Sequence, residues 1–350
     1  MKNIFLKTSL IIAIILTSCS KVDAVKETDY NVQLSNIGNN VIIMTYEDLK
    51  DKAAALQSAT SALELNQTLE NFQAAKNAWV AARSPWEQSE GFLFGPVDQE
   101  GIDPSIDSWP VNVIDLNNVL NSNNELTPAY LANQEGTLKG FHTIEFLLWG
   151  ASGNKQITDF TPREFEYLKS CAANLASDTN KLYNLWSVNG QSFILNLTTA
   201  GTGNSIYLSQ KSAVLDLTNA IIAITDEVAN GKIQDPFIQQ DVTLEESRFS
   251  ANSKTDFSNN INSVKNIYTG FYNEKGNGSG LTFIVNAKNI NLDAKIKTQI
   301  DDAILAIQSI PGTFTTAILQ NKTSVINAQK KVRDLQQTLE SELLPLINNL

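Results

Sequence analysis

The sequence predicts an all-α fold, built from antiparallel helical bundles with a long C-terminal helix. Three observations carry this. Ala- and Leu-rich windows with 3.6-residue apolar spacing recur along the chain, no sustained apolar/polar alternation appears, and the breaks between periodic stretches are mostly short. With 350 residues, 42% of them apolar and 18% charged, the chain holds enough for a sizeable core in two domains or one large one.

Taken in order, the chain opens with Lys2 and Lys7 ahead of Leu10–Leu16, an apolar run too short to span a bilayer. Leu16-Thr17-Ser18-Cys19 resembles the lipobox of a bacterial lipoprotein. The expectation is a signal peptide over 1–18, a lipid on Cys19 and a polar tether over 19–36. Ser20 lacks the Asp of inner-membrane retention, which points to the outer membrane of a bacterial envelope, with the protein facing periplasm or cell surface. Helices are then expected at about 38–64, 68–94, 111–121, 127–149, 162–187, 206–230, 255–270, 292–309 and 313–348. Thr161-Pro162-Arg163-Glu164 reads as a capping box with Pro in the first turn. Ser84-Pro85-Trp86-Glu87 has the same form inside a longer helical pattern, so a kink or restart is expected at Pro85. Asp98–Pro110 is a Gly/Pro/Asp loop long enough to cover a site. The Gly/Thr-rich break Thr198–Asn204 divides an N-terminal lobe (37–200) from a C-terminal one (205–350), and Leu281–Val285 reads as a strand or a packed loop.

The balance of 26 basic and 37 acidic residues, a net charge of −11 without basic runs, argues against nucleic acid and against adhesion to anionic lipid heads. Membrane contact is expected through the lipid anchor only. His142 is the single histidine, which excludes multi-histidine zinc sites. With Cys19 lipidated, Cys171 is left as the sole free thiol; it lies in an apolar helical stretch and reads as a small core residue, with no intramolecular disulfide.

Two segments depart from generic bundle sequence. In Gly140–Gly150, His142 and Glu145 share a helix face amid apolar neighbours, a costly placement unless they are paired or coordinated. In Trp79–Phe92, Arg83, Glu87 and Glu90 line one stripe if the helical phase survives Pro85. His142, Glu145, Glu90 and Glu87 are therefore the candidate metal ligands, with Arg83 and Trp86 supporting them. Iron heads the candidate ions, with zinc or another divalent cation as alternatives. A hydrogen-bonded polar network built by the same residues is the competing reading. Trp79, Trp86 and Trp149 read as core anchors.

These segments together resemble the imelysin family: Gly140, His142 and Glu145 form its Gly-x-His-x-x-Glu pattern, downstream of Trp79, Arg83, Trp86-Glu87 and Ser89-Glu90-Gly91-Phe92. Glu246-Ser247-Arg248-Phe249-Ser250-Ala251-Asn252-Ser253, Asp256 and Lys331-Val332-Arg333-Asp334-Leu335 are similar to later family segments. The resemblance implies two helical lobes facing each other with the HxxE helix near the cleft, and places Ser247 and Arg248 among the supporting residues. It also implies a cell-envelope protein of a family that includes an insulin-cleaving metallopeptidase and proteins linked to iron regulation and uptake. Ser247 as a nucleophile would lack a second histidine to activate it. A metallopeptidase needs about three ligands, an open position and a base. His142 and Glu145 supply two ligands, so metal or metal-complex capture for an envelope transport partner is the leading expectation. Peptidase action is the alternative, and a non-catalytic peptide- or glycan-binding module the third.

Overall fold

The computed structural model describes residues 29–350. The expected signal peptide, Cys19 and most of the expected tether lie outside the described residues. The helical chain begins inside that tether: α1 (Asn31–Asn36) buries Gln33, Leu34 and Asn36 and runs through a π turn (Ile37–Ile42) into α2 (Ile43–Leu65). α2 buries Tyr46, Leu49, Ala53, Leu56, Thr60 and Leu63, the three- and four-residue steps of one helix face.

α3 (Leu69–Glu87) starts on Thr68, whose hydroxyl accepts from the Asn71 N–H at 3.2 Å. The restart expected at Pro85 does not occur, and α3 continues to Glu87. Pro85 stands two residues from the helix end, where the loss of one N–H is tolerated and the Arg83–Glu87 ion pair holds the last turn. A 3₁₀ turn (Glu90–Phe92) follows, then the short helices α4 (Pro96–Gln99), α5 (Ile102–Ile106), α6 (Val113–Leu120) and α7 (Pro128–Ala132). The single helix expected over 127–149 is broken by a 3₁₀ turn (Gly136–Leu138), and α8 (Gly140–Trp149) begins anew. Gly140 has φ +74°, outside the right-handed helical region.

α9 (Pro162–Trp186) forms with the full Thr161/Glu164 capping box. After α10 (Ile194–Thr198), α11 (Gln210–Glu227) passes through a second π turn (Val228–Lys232) into α12 (Gln234–Gln239). α13 (Ser253–Thr269) leads into the hairpin β1 (Phe271–Tyr272) and β2 (Lys275–Gly276), and strand structure among the described residues is limited to this pair. Leu281–Val285, expected as strand or loop, is the first part of α14 (Leu281–Lys288). The stretch expected as one helix over 313–348 divides at Asn321 into α16 (Phe314–Gln320) and α17 (Lys322–Thr338), after α15 (Ile290–Gln308). α17 continues through a π turn (Leu339–Leu343) into α18 (Leu344–Asn348).

α2 packs between α3 and α9, with α8 against α3 and α9; α13, α15, α17 and α11 pack together in turn, and α3 lies along α13. Trp79 and Trp86 are fully buried, and Trp149 is half-buried with its ring 5.2 Å from that of Trp79, the core role expected of all three. Cys171 is a buried free thiol whose pKa burial pushes up. No helix among the described residues is long and apolar enough to cross a membrane.

Candidate functional site

Seven stretches of chain converge on one buried cluster. α3 contributes Arg83 and Glu87, the following 3₁₀ turn contributes Glu90, and Asp107 follows the end of α5. α8 contributes His142 and Glu145, the π turn after α11 contributes Lys232, and the segment entering α13 contributes Glu246, with Asp256 and Asn260 on α13 itself. Asp107 is the most exposed of these at 8%.

Two glycines make the convergence possible. A Cβ on Gly140 would lie 2.2 Å from the Ile106 carbonyl oxygen, so only glycine lets the end of α5 press against the start of α8 and bring Asp107 to His142. A Cβ on Gly91 would meet Ser263 Oγ at 2.7 Å, where the 3₁₀ turn carrying Glu90 packs on α13.

Arg83 is the hub. Its guanidinium pairs with Asp107 and with Glu87, donates to Glu246 Oε1 at 2.8 Å, and has Nε 3.6 Å from Asp256 Oδ1. Lys232 Nζ donates at 2.8 Å to both Glu90 Oε2 and Glu246 Oε1, and lies 3.7 Å from Glu87 Oε2. Asn260 Nδ2 donates to Glu87 Oε2 at 2.5 Å and to Glu90 Oε2 at 2.9 Å. Trp86 Nε1 donates to Asp107 Oδ2 at 2.6 Å, giving Trp86 a supporting contact as well as its core role. His142 Nε2 is 3.1 Å from Asp107 Oδ1, and its Nδ1 is 3.1 Å from Glu145 Oε2. The other Glu145 oxygen accepts from the Ser250 N–H and hydroxyl, both at 2.7 Å.

The electrostatics follow from this packing. Six carboxylates (Glu87, Glu90, Asp107, Glu145, Glu246 and Asp256) surround two permanent cations and one imidazole. Burial drives Glu87 and Glu90 well above the ordinary carboxylate range, against the opposing pull of the cations. Burial likewise raises Asp256 to about 7, although Arg83 opposes it. Asp107 goes the other way: burial would raise it, but Arg83 and the His142 contact hold it well below the usual range. For His142, burial and Arg83 act downward, yet the contacts to Asp107 and Glu145 prevail and lift it to about 9.

Single donor atoms of Asp107, His142 and Glu246 lie within 4.8 Å of one another, and so do single oxygens of Glu87, Glu90, Asp107 and Glu246. Asp107 and Glu246 belong to both groups. Of the residues expected as ligands, His142, Glu87 and Glu90 fall within these groups; Glu145 stands outside both, its two oxygens taken by His142 and Ser250. Arg83 is central. Ser247 is buried between Glu246 and Arg248, while half-buried Arg248 stacks on Phe249, 4.3 Å from the ring centroid, and faces a groove with Pro110 and Thr243. Sequence reasoning missed Asp107, Lys232 and Asn260 altogether, and quoted Glu246 and Asp256 without assigning them a ligand role. The loop position of Asp107 was the available signal; for Lys232 there was none.

The Imelysin family model (peptidase M75) matches residues 42–343. The chain belongs to the imelysin family. Iron-regulated protein A of Synechococcus elongatus is 27% identical to this imelysin-family chain over 340 residues, covering 96% of it and 91% of its own length. A solved structure described as an iron-regulated protein A precursor from Parabacteroides distasonis matches with a TM-score of 0.81 at 27% identity, over 91% of this chain and 94% of that one. An imelysin-like protein from Psychrobacter arcticum shares the fold with a TM-score of 0.73 at 14% identity, over 91% and 95% of the two chains.

Proposed function

We propose that this imelysin-family protein captures a metal ion, iron foremost, with Asp107, His142, Glu246, Glu87 and Glu90 as the donor set. One observation carries the reading: buried carboxylates outnumber buried cations, and Glu246 Oε2 is sealed from solvent without a hydrogen-bond partner. A carboxylate oxygen left unmatched in a low-dielectric interior is costly, and a bound cation removes that cost. Several hard oxygens with one imidazole suit iron or manganese. The names of two similar proteins, which call them iron-regulated, support iron.

In this reading Glu145 orients rather than ligates. Held by Ser250, it fixes Nδ1 of His142 and leaves Nε2 to face Asp107, the arrangement by which an outer carboxylate sets a ligand histidine. Arg83 holds the carboxylates in register. The lobes 37–200 and 205–350 clasp the centre between them. A lipid on Cys19 would tether the protein in the bacterial envelope, where a transport partner would receive the ion. Acylation lost in Cys19→Ser tests that part. Peptide hydrolysis has less support, because groups 8% exposed or less do not meet an extended polypeptide.

The test is elemental analysis and titration of the purified full chain with iron(II), manganese(II) and zinc(II), beside melting curves with and without each ion. The expected result is stoichiometric binding, a raised midpoint, and loss of both in His142→Ala. A folded protein that takes up none of these ions overturns the reading.

A further inference from the structure

Within the cluster, one group already occupies the place of a bound cation. Lys232 Nζ touches two oxygens at 2.8 Å and approaches a third at 3.7 Å, and all three carboxylates belong to the four-oxygen donor group. Its side chain is 1% exposed. A fourth carboxylate, Glu227, lies 3.9 Å from Nζ, and its side chain is 45% exposed. Glu227 ends α11, one turn before Lys232, so the ammonium and an acceptor at the protein surface sit at the two ends of the same π turn.

We infer that Lys232 is a tethered stand-in cation: it fills the Glu87/Glu90/Glu246 oxygens in the metal-free protein and swings outward to Glu227 when a metal ion enters. This rests on the metal-capture reading and adds how the site is kept closed and opened. The physical reason is competition. A divalent ion coordinated by Glu90 and Glu246 would sit within a few ångströms of the ammonium, and two cations at that range repel strongly in a buried site. One must leave. Arg83 cannot, since its planar fork is held by carboxylates from four separate segments. Lys232 hangs on a flexible four-carbon stem, has a single charge to carry, and has Glu227 waiting on the solvent side. The Trp109 ring, 5.4 Å from Nζ, packs on the ammonium and has to slide for the swing to occur.

The first test uses the wild-type full chain. Lysines are acetylated with a water-soluble succinimidyl ester, without metal and after loading with manganese(II) or iron(II) verified by elemental analysis, and each site is read by peptide mass spectrometry. Lys232 is expected to be protected in the metal-free protein and to react at least about tenfold faster once loaded, while Lys330, 67% exposed, stays constant as the internal reference. Equal protection of Lys232 in verified metal-loaded protein overturns the inference and leaves metal capture standing. The second test is Lys232→Met, which removes the competitor and is expected to bind manganese(II) about tenfold or more tightly than wild type. Unchanged or weaker affinity overturns the inference. Absence of metal from both proteins overturns the capture reading and this inference together; should Lys232→Met fail to fold, the labelling experiment decides alone.

Discussion

Two buried carboxylate sites in this molecule obey opposite rules. Asp293, on α15, accepts from the Tyr268 hydroxyl at 2.9 Å, from the Thr282 hydroxyl at 2.6 Å and from Lys297 at 2.8 Å. Every donor it needs is present, and although burial pushes its pKa up, these hydrogen bonds hold it down. The Arg83 cluster gathers six carboxylates around too few donors, and burial there drives Glu87, Glu90 and Asp256 upward. A satisfied carboxylate fastens α13, α14 and α15 together. An over-supplied one carries an unmet demand for positive charge, and the proposed capture reading rests on that imbalance.

The comparison breaks first at Arg83. Arg83→Met leaves four carboxylates without their shared partner and is expected to cost about 3–5 kcal/mol in urea denaturation. A loss below about 1 kcal/mol would mean the cluster neutralises itself with protons and needs no cation. Next, Asp107→Asn removes an oxygen common to both donor groups, and metal affinity by titration should fall at least about 10–100-fold with the fold intact. Asp293→Asn serves as the counterpart: a stability loss of about 1–3 kcal/mol with metal uptake unchanged. Altered uptake there would erase the distinction between the two sites.

The smallest effect is the pH response of the metal-free protein, and its sign separates the sites. The His142 pKa is raised from 6.5 to about 9, so its contribution is complete below about pH 6.5 and is lost as pH climbs through 9. Asp256, raised to about 7, makes the folded state bind more protons than the unfolded chain between its ordinary value of 3.8 and 7, so stability falls there too as pH rises. Asp293 is depressed, so its stabilisation is present above pH 3.8 and is lost as pH falls through its folded value. Difference melting curves of His142→Gln and Asp293→Asn against wild type should therefore bend in opposite directions.

What the sequence disclosed follows the range of the interactions involved. The all-α class, the Thr161 cap and the pairing of His142 with Glu145 depend on residues three or four apart, and spacing alone reveals them. Arg83–Glu87 was readable for the same reason once the helix passed Pro85. Asp107, Lys232, Glu246 and Asn260 reach the cluster from segments tens to well over a hundred residues away, and only tertiary packing brings them together. Leu281–Val285 reads as strand or packed loop because a short apolar run shows no helical period; packing against α13 and α15 makes it helix. The break in 127–149 hinged on one glycine whose positive φ no periodicity announces.

The Ser250 clasp on Glu145 and the Glu246 bridge to Arg83 have a consequence for biogenesis. Synthesis proceeds from the N-terminus, and the first half of the chain carries Arg83, Glu87, Glu90, Asp107, His142 and Glu145 long before Lys232, Glu246 and Ser250 exist to complete their contacts. Until Asn260 has emerged from the ribosome, the nascent polypeptide presents acidic side chains to water with no cage to close around them. On the proposed capture reading, the complete donor set and any selectivity it confers exist only once Glu246 has been made.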